Sequence, residues 1–347
     1  MEDLSISCHV KELIIMNLPV LTIVVPCYNE QEVLSKTSEQ LSSILKDLMD
    51  SRLISERSSI LFVDDGSRDD TWDLIQMESI QNRMVKGLKL AGNVGHQNAL
   101  LAGLETAGKQ SDCVISIDAD LQDDIQVIKE MVEKYNQGYD IIYGVRDQRK
   151  TDTFFKRTTA LGFYRIMGKL GIKLIPNHAD YRLMSKRALR ELLKYKERNL
   201  FLRGMIPMIG FSSTKVLYDR KEREAGDSKY PLKKMISFAL DGITSFSVAP
   251  IRCVTYLGFI TLLVSIIAGS YAVFQKMLGN TQSGWTSIMI SLWIIGGLQL
   301  IGIGIVGEYI GKIFKEVKQR PIYAIDVDNY SEDQNNEVEQ ENHYKSR

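Results

Sequence analysis

From residue 20 to residue 146 the chain alternates between two hydrophobic rhythms. The runs VLTIVVP, SSILFVDDG, GLKLAGN, DCVISID and DIIYGVR are short, apolar and closed by turn residues, as strands are. Between them EVLSKTSEQLSSILKDLM, DDTWDLIQMESIQNRM, HQNALLAGLETAG and DIQVIKEMVEKYNQG carry apolar residues at helical spacing. This alternation predicts an α/β fold, a mostly parallel sheet with helices on both faces. In such sheets ligands bind at the carboxyl ends of the strands. Cys27-Tyr28-Asn29-Glu30, Asp64-Asp65-Gly66-Ser67 and Asp118-Ala119-Asp120 all fall at those ends and read as one site.

The pattern changes in the last third. No charged residue occurs from Cys253 to Phe274, and none from Met277 to Gly307. A bilayer core requires about 20 apolar residues per helix, so both runs are long enough to cross it. A short hydrophilic turn around Gly279 to Gly284 joins them into an expected hairpin. Lys233, Lys234 and Arg252 precede the first run, and Lys312, Lys315, Lys318 and Arg320 follow the second, whereas the turn has only Lys276. The positive-inside rule then places the catalytic part and both termini in the cytoplasm. Before the hairpin, LKKMISFALDGITSFSVAPIR has the spacing of an interfacial helix.

Composition adds limits. Forty-three basic and 43 acidic side chains cancel, so nothing global points to nucleic acid. Cys8, Cys27, Cys113 and Cys253 form no CxxC pair and read as reduced, buried thiols. The closing SEDQNNEVEQENHYKSR is polar and acid-rich and reads as a disordered tail. The expected divisions are an N-terminal extension 1–17, a catalytic domain 18–228, juxtamembrane helices 229–252, membrane helices 253–275 and 285–311, and a cytoplasmic tail 312–347.

The acids of ISIDADLQDD carry the chemistry. If the strand stays extended, Asp118 and Asp120 point the same way, two carboxylates that repel unless a cation lies between them. Hard oxygen ligands of this kind suit Mg2+ or Mn2+, which keep waters and share phosphate oxygens. Asp123 and Asp124 are expected to open the next helix, where its dipole favours negative charge. Gly302-Ile-Gly304-Ile-Val-Gly307 matches a dinucleotide fingerprint by spacing alone, and close membrane-helix packing explains it better.

VVPCYNE, FVDDGSRDDT, NVGHQNALLAGLETA, IDADLQD and HADYRLMSKRAL, in this order, resemble family 2 glycosyltransferases of GT-A fold. The similarity is strongest to the polyprenyl-phosphate group that includes dolichyl-phosphate-mannose synthase and bactoprenol glucosyltransferase, and it runs from Leu18 to Tyr323. The resemblance implies that Pro26, Tyr28, Glu30, Asp64 and Asp65 hold the base and ribose of a nucleotide sugar. It implies that Asp118, Asp120 and Gln122 bind the metal, the glutamine supplying an oxygen without adding charge. Arg146 and Arg149 in GVRDQRK would face phosphates, where a guanidinium fork fits well. Asp180 would lie near the acceptor as a base or a sugar anchor, or as the ion-pair partner of Arg182. Arg182, Arg220 and Arg223 are candidates for the lipid phosphate. His96 opens a helix and could donate to a phosphate, with capping an equal option. Phe201-Leu202-Arg203-Gly204 belongs to the pattern without an assigned role.

The resemblance thus implies inverting transfer of a monosaccharide from a UDP- or GDP-sugar to a polyprenyl phosphate at the bacterial plasma membrane. A homo-oligomer is compatible with the sequence. A processive polysaccharide synthase of the same fold is the main alternative, but none of Trp72, Trp285 and Trp293 follows an arginine as its QxxRW motif requires. A membrane sensor that binds a sugar nucleotide without turnover is the other.

Overall fold

The computed structural model describes residues 18–147, 175, 178–197, 201–219, 249–278 and 284–331. They fall into two compact units: one carries the sheet together with residues 321–331, the other the two long apolar helices.

In the first unit the strands are β1 (Leu21–Cys27), β2 (Ser59–Asp64), β3 (Val85–Leu90), β4 (Cys113–Ser116), β5 (Ile141–Arg146), β6 (His178–Ser185), β7 (Ser213–Tyr218) and β8 (Ile325–Asp328). They form one sheet in the order β7-β5-β6-β4-β1-β2-β3-β8. The neighbours β4, β1, β2 and β3 are parallel, as the alternation predicts. β6 inserts antiparallel between β4 and β5, and β8 lies antiparallel on β3. The helices are α1 (Leu34–Asp50), α2 (Thr71–Gln81), α3 (His96–Gly108), α4 (Val127–Asn136), α5 (Lys186–Leu192) and α6 (Leu202–Met208).

Burial explains why the strands are nearly all apolar. Every residue of β1, β2 and β4 is buried, because helices cover both faces of the sheet. α1 adds Leu34, Leu41, Ile44, Leu45 and Leu48 at helical spacing to the core of Leu21, Ile23, Val25, Ile60, Phe62 and Ile115. On α3 the close approach falls at Gly103, where a Cβ would sit 2.5 Å from Val24 Cγ1 and 2.6 Å from Val63 Cγ2. Only a residue without a side chain lets α3 lie that near the sheet.

The C-terminal boundary differs from expectation. Residues 325–328 add the edge strand β8, and Tyr330 behind it is 1% exposed. The Tyr330 hydroxyl bonds Thr22 Oγ1 at 2.9 Å and Ser111 Oγ at 3.1 Å, and those two hydroxyls bond each other at 2.6 Å. The first part of the expected tail is therefore part of the sheet-bearing unit. IDVD gives little strand signal because it is four residues long and half acidic.

In the second unit α7 (Ala249–Met277) and α8 (Trp285–Lys318) carry the two charge-poor runs. Val254–Tyr271 and Ile294–Lys318 are apolar enough to cross a membrane, and they are 0% and 6% buried within the protein. Leu263, Ile267, Phe274, Leu300 and Ile303 are all 60% exposed or more, so a large apolar surface on α7 and α8 is left uncovered by the protein itself. Gly302 meets Val254 Cγ1 at 3.1 Å from an ideal Cβ, whereas Gly304 and Gly307 face open space. Close helix packing thus accounts for the first glycine of the false fingerprint only. Most of the expected interfacial helix lies outside the described residues.

Candidate active site

The loop after β1 is laced to the loop after β2. Asn29 N–H donates to Ser67 Oγ at 3.0 Å, Arg68 N–H to Asn29 Oδ1 at 2.9 Å, and Glu30 N–H to Thr71 Oγ1 at 2.9 Å. This sets Pro26 at the buried end of β1, Tyr28 at 41% exposure, and Glu30 beside them. Asp64 and Asp65 are buried at the end of β2, and burial raises the pKa of each. Asp64 Oδ1 accepts Ser67 N–H at 3.2 Å, while its Oδ2 is buried without a hydrogen bond. Asp65 accepts the N–H groups of Val94 at 2.7 Å and Gly95 at 2.9 Å, holding the turn that leads into α3. Gly95 makes that turn at φ +91°, a conformation L side chains rarely adopt.

The acids after β4 differ from the extended-strand expectation. β4 ends at Ser116, and Asp118 to Leu121 form a turn closed by Leu121 N–H on Asp118 O at 3.3 Å, with Leu121 at φ +42°. Asp118 and Asp120 therefore share a turn, not one face of a strand. Thr37 Oγ1 of α1 fastens it through Ala119 O at 2.7 Å, and Asp120 Oδ1 accepts Gln122 N–H at 3.3 Å. Gln122 is buried. Asp123 and Asp124 do not open the helix, because α4 begins at Val127 behind an N-cap at Gln126. Asp123 is buried instead against Arg146, 3.2 Å away, and Asp124 Oδ1 accepts Gln126 N–H at 3.1 Å. Arg146 is thus paired with an acid of the same motif, and its Nε also reaches the Tyr218 hydroxyl at 3.4 Å. Arg149, Arg220 and Arg223 lie outside the described residues.

The alternation rule does hold in β6. Asp180 and Arg182 stand two residues apart on the strand and form a buried ion pair. Arg182 is 2% exposed, with Nη1 buried and lacking a hydrogen bond, so its guanidinium faces the interior of the site and not an open surface. That differs from the expectation of a lipid-phosphate ligand. Arg203 on α6 grips the same carboxylate, Nη2 to Asp180 Oδ2 at 3.0 Å, and is 36% exposed. Burial works against a charged Asp180, but Arg203, His96 and Arg182 outweigh it and hold the carboxyl well below its usual range. The sequence offered Arg203 only as part of a quoted motif; no periodicity joins it to residue 180.

His96, the first residue of α3, stands between the two acidic groups. Its Nε2 lies 3.5 Å from Asp118 Oδ1 and 3.7 Å from Asp180 Oδ2. Burial disfavours the imidazolium, yet the hydrogen bond to Asp180 and the charges of Asp118 and Asp180 raise its pKa. Burial also raises the pKa of Asp118, whose Oδ1 is enclosed without a hydrogen bond although the side chain as a whole is 42% exposed. His178 plays no part in this cluster: it bonds Ile175 O through Nδ1 at 2.8 Å and is neutral, its pKa lowered to about 4 by burial and then by Arg182.

Among the described residues no three His, Cys, Asp or Glu side chains form a ready cage for a metal. An uncaged carboxylate oxygen beside a second carboxylate and a buried amide fits an ion that takes few protein ligands and completes its shell with phosphate and water. The acids thus gather at the strand ends of this mixed sheet, where open α/β sheets bind their ligands. The family model "Glycosyl transferase family 2" matches residues 22–193. The uncharacterized glycosyltransferase YkoT of Bacillus subtilis (strain 168) is 68% identical over 314 residues, 90% of this chain and 93% of that protein. An SfII prophage-derived bactoprenol glucosyl transferase of Shigella flexneri is 38% identical over 310 residues, 88% of this chain and 97% of that protein. Among solved structures, the mannosyltransferase PcManGT from Pyrobaculum calidifontis in complex with GDP-Man and Mn2+ aligns at 14% identity and a TM-score of 0.42, covering 88% of this chain and 89% of that one. The chain belongs to glycosyl transferase family 2.

Proposed function

We propose that the protein transfers a monosaccharide from a nucleoside-diphosphate sugar to a polyprenyl phosphate at the cytoplasmic face of a bacterial plasma membrane, with inversion. The observation that carries this reading is the convergence on Asp180 of Arg203, Arg182 and His96, next to the turn that bears Asp118 and Asp120. Acids for the donor and cations for an anionic acceptor meet there. The bactoprenol glucosyl transferase matched over nearly its whole length supports the acceptor class.

Pro26, Tyr28, Glu30, Asp64 and Asp65 hold the nucleoside. Asp118, Asp120 and Gln122 would hold Mg2+ or Mn2+, which when bound neutralises charge on the diphosphate leaving group. The acceptor phosphate is already largely ionised at neutral pH, its second pKa being near ~6, so no residue has to remove its proton. Its oxygen attacks the anomeric carbon, the carbon–oxygen bond on the opposite face breaks, and the nucleoside diphosphate leaves with that bond's electron pair. Asp180, held ionised by its three partners, then serves as an anchor for sugar hydroxyls and as the frame for Arg203. Arg203, partly exposed and held by Asp180, turns its outer N–H groups to the acceptor phosphate, joined by Arg149, Arg220 and Arg223 from the basic segments.

The path of the chain supports the topology. β7 precedes the α7–α8 pair in sequence and β8 follows it, and both belong to one sheet. An even number of crossings satisfies this, in agreement with the basic flanks.

The test incubates membranes containing the protein with labelled sugar nucleotides and polyprenyl phosphate. Metal-dependent label in the lipid extract names the donor. No labelled lipid from any donor, or undiminished labelling by Asp120→Ala, overturns the proposal.

A further inference from the structure

Beyond helping to hold Asp180 ionised, His96 has no role in the mechanism above, yet its imidazole occupies the junction of the site. Three observations fix it there. Asp65, on the nucleoside side, accepts two backbone N–H groups of the Val94–Gly95 turn and so sets where α3 begins. Gly103 lets the middle of α3 lie against Val24 and Val63, which fixes the helix on the sheet. The Nε2 atom then falls almost midway between Asp118 Oδ1 and Asp180 Oδ2, at 3.5 Å and 3.7 Å.

One N–H cannot serve two acceptors well at once. The two acceptors are also unequal. Asp180 has Arg182 and Arg203, whereas Asp118 Oδ1 is enclosed and has no hydrogen bond. Apart from this imidazole, Asp118 Oδ1 is left with desolvation and the repulsion of nearby acids.

We propose that His96 is a positioning residue that hands over between the two halves of the site: it shields Asp118 until a divalent cation takes that oxygen, and then donates to Asp180. The handover rests on the metal-binding reading of Asp118 and not on the identity of the acceptor. Its consequence is that cation binding competes with the contact of His96 to Asp118, while the contact to Asp180, shared in the metal-free protein, is the one His96 keeps in the loaded enzyme. Nucleotide-side geometry, set through Asp65 and the 94–95 turn, is thereby coupled to the acid that faces the acceptor.

The test titrates Mn2+ into the full-length protein in detergent, without nucleotide and at one fixed pH, following free Mn2+ by electron paramagnetic resonance. His96→Ala is expected to bind Mn2+ about two- to fivefold tighter than wild type, the range one released, partly exposed charged contact covers. Its kcat is expected to fall about tenfold with KM for the nucleotide sugar within about twofold, the pattern of an interaction completed after binding. His96→Gln, which keeps a side-chain N–H, should return Mn2+ affinity toward wild type, and it also guards against a fold defect in the alanine variant. Equal or weaker Mn2+ binding by His96→Ala overturns the handover. Wild-type protein that takes up no Mn2+ overturns the metal reading and the handover together. Tighter Mn2+ binding by the variant in a protein that labels no lipid keeps the handover and removes only the acceptor assignment.

Discussion

Arg203 and Asp180 are 23 residues apart in sequence and meet in a two-point contact, Nη2 to Oδ2 at 3.0 Å and Nε to Oδ1 at 3.4 Å. A fork of this kind has a geometry that lysine cannot reproduce. Arg203→Lys is therefore expected to behave more like Arg203→Ala than like wild type. Both should lose about 10- to 100-fold in kcat/KM for transfer to lipid, the worth of one charge-assisted hydrogen bond. Steady-state assays at several acceptor concentrations check this. A lysine variant with wild-type kinetics would show that charge alone suffices.

Asp118 is held at a cost to the folded protein, since burial disfavours its charge and one oxygen lacks a hydrogen bond. Asp118→Asn should leave the melting temperature of the metal-free protein unchanged or higher while transfer falls by at least about 100-fold. Differential scanning fluorimetry beside the lipid-labelling assay separates the two effects. Treating the wild type with a chelator should abolish labelling, and added Mn2+ or Mg2+ should restore it.

His178 gives a pH signature of its own. Its pKa is 6.5 when unperturbed and about 4 in the fold, so the unfolded chain takes up a proton first. Stability is complete above pH 6.5, declines as pH falls, and levels off near pH 4, a total of about 3 kcal/mol. His178→Phe should remove that share of the acid sensitivity. Denaturation midpoints of both proteins across this range test it, and parallel curves would contradict it.

The contact of α3 with the sheet predicts a coupled pair. Gly103→Ala places a methyl against Val24 and Val63 and should cost about 1–3 kcal/mol. In the Val24→Ala background the same substitution should cost less, because the space it enters has been vacated. Additive costs in a double-mutant cycle would count against the close approach.

Tyr330 divides the same way by group. Tyr330→Phe removes one hydroxyl but leaves Thr22 and Ser111 bonded to each other at 2.6 Å, so about 1 kcal/mol is expected. Tyr330→Ala removes a ring that is 1% exposed and should cost about 3–5 kcal/mol. Chemical denaturation of the two variants distinguishes them.

The sequence disclosed what depends on local rhythm. β1 to β5 and α1 to α4 lie where the alternation places them, because their apolar residues repeat with the period of the element they form. β6 escaped because HADYRLMS places Asp180 and Arg182 in the middle of a buried strand, a conflict with polarity that only the ion pair resolves. β8 escaped because an edge strand needs few apolar residues. The site divides along the same line. Asp64, Asp65, Asp118 and Asp120 announce themselves as acids at strand ends, whereas Arg203 and His96 become functional only through distances that no spacing encodes. Asp123 misled because its partner, Arg146, comes from the end of the following strand.

The late position of β8 bears on how the molecule is made. During synthesis β3 remains an open sheet edge while both apolar helices are produced, and it gains its neighbour only when residues 325–328 emerge. An unpaired edge is a template for wrong partners. The sheet is therefore completed only after α7 and α8 have been made, and a chain stopped before residue 325 carries an incomplete sheet.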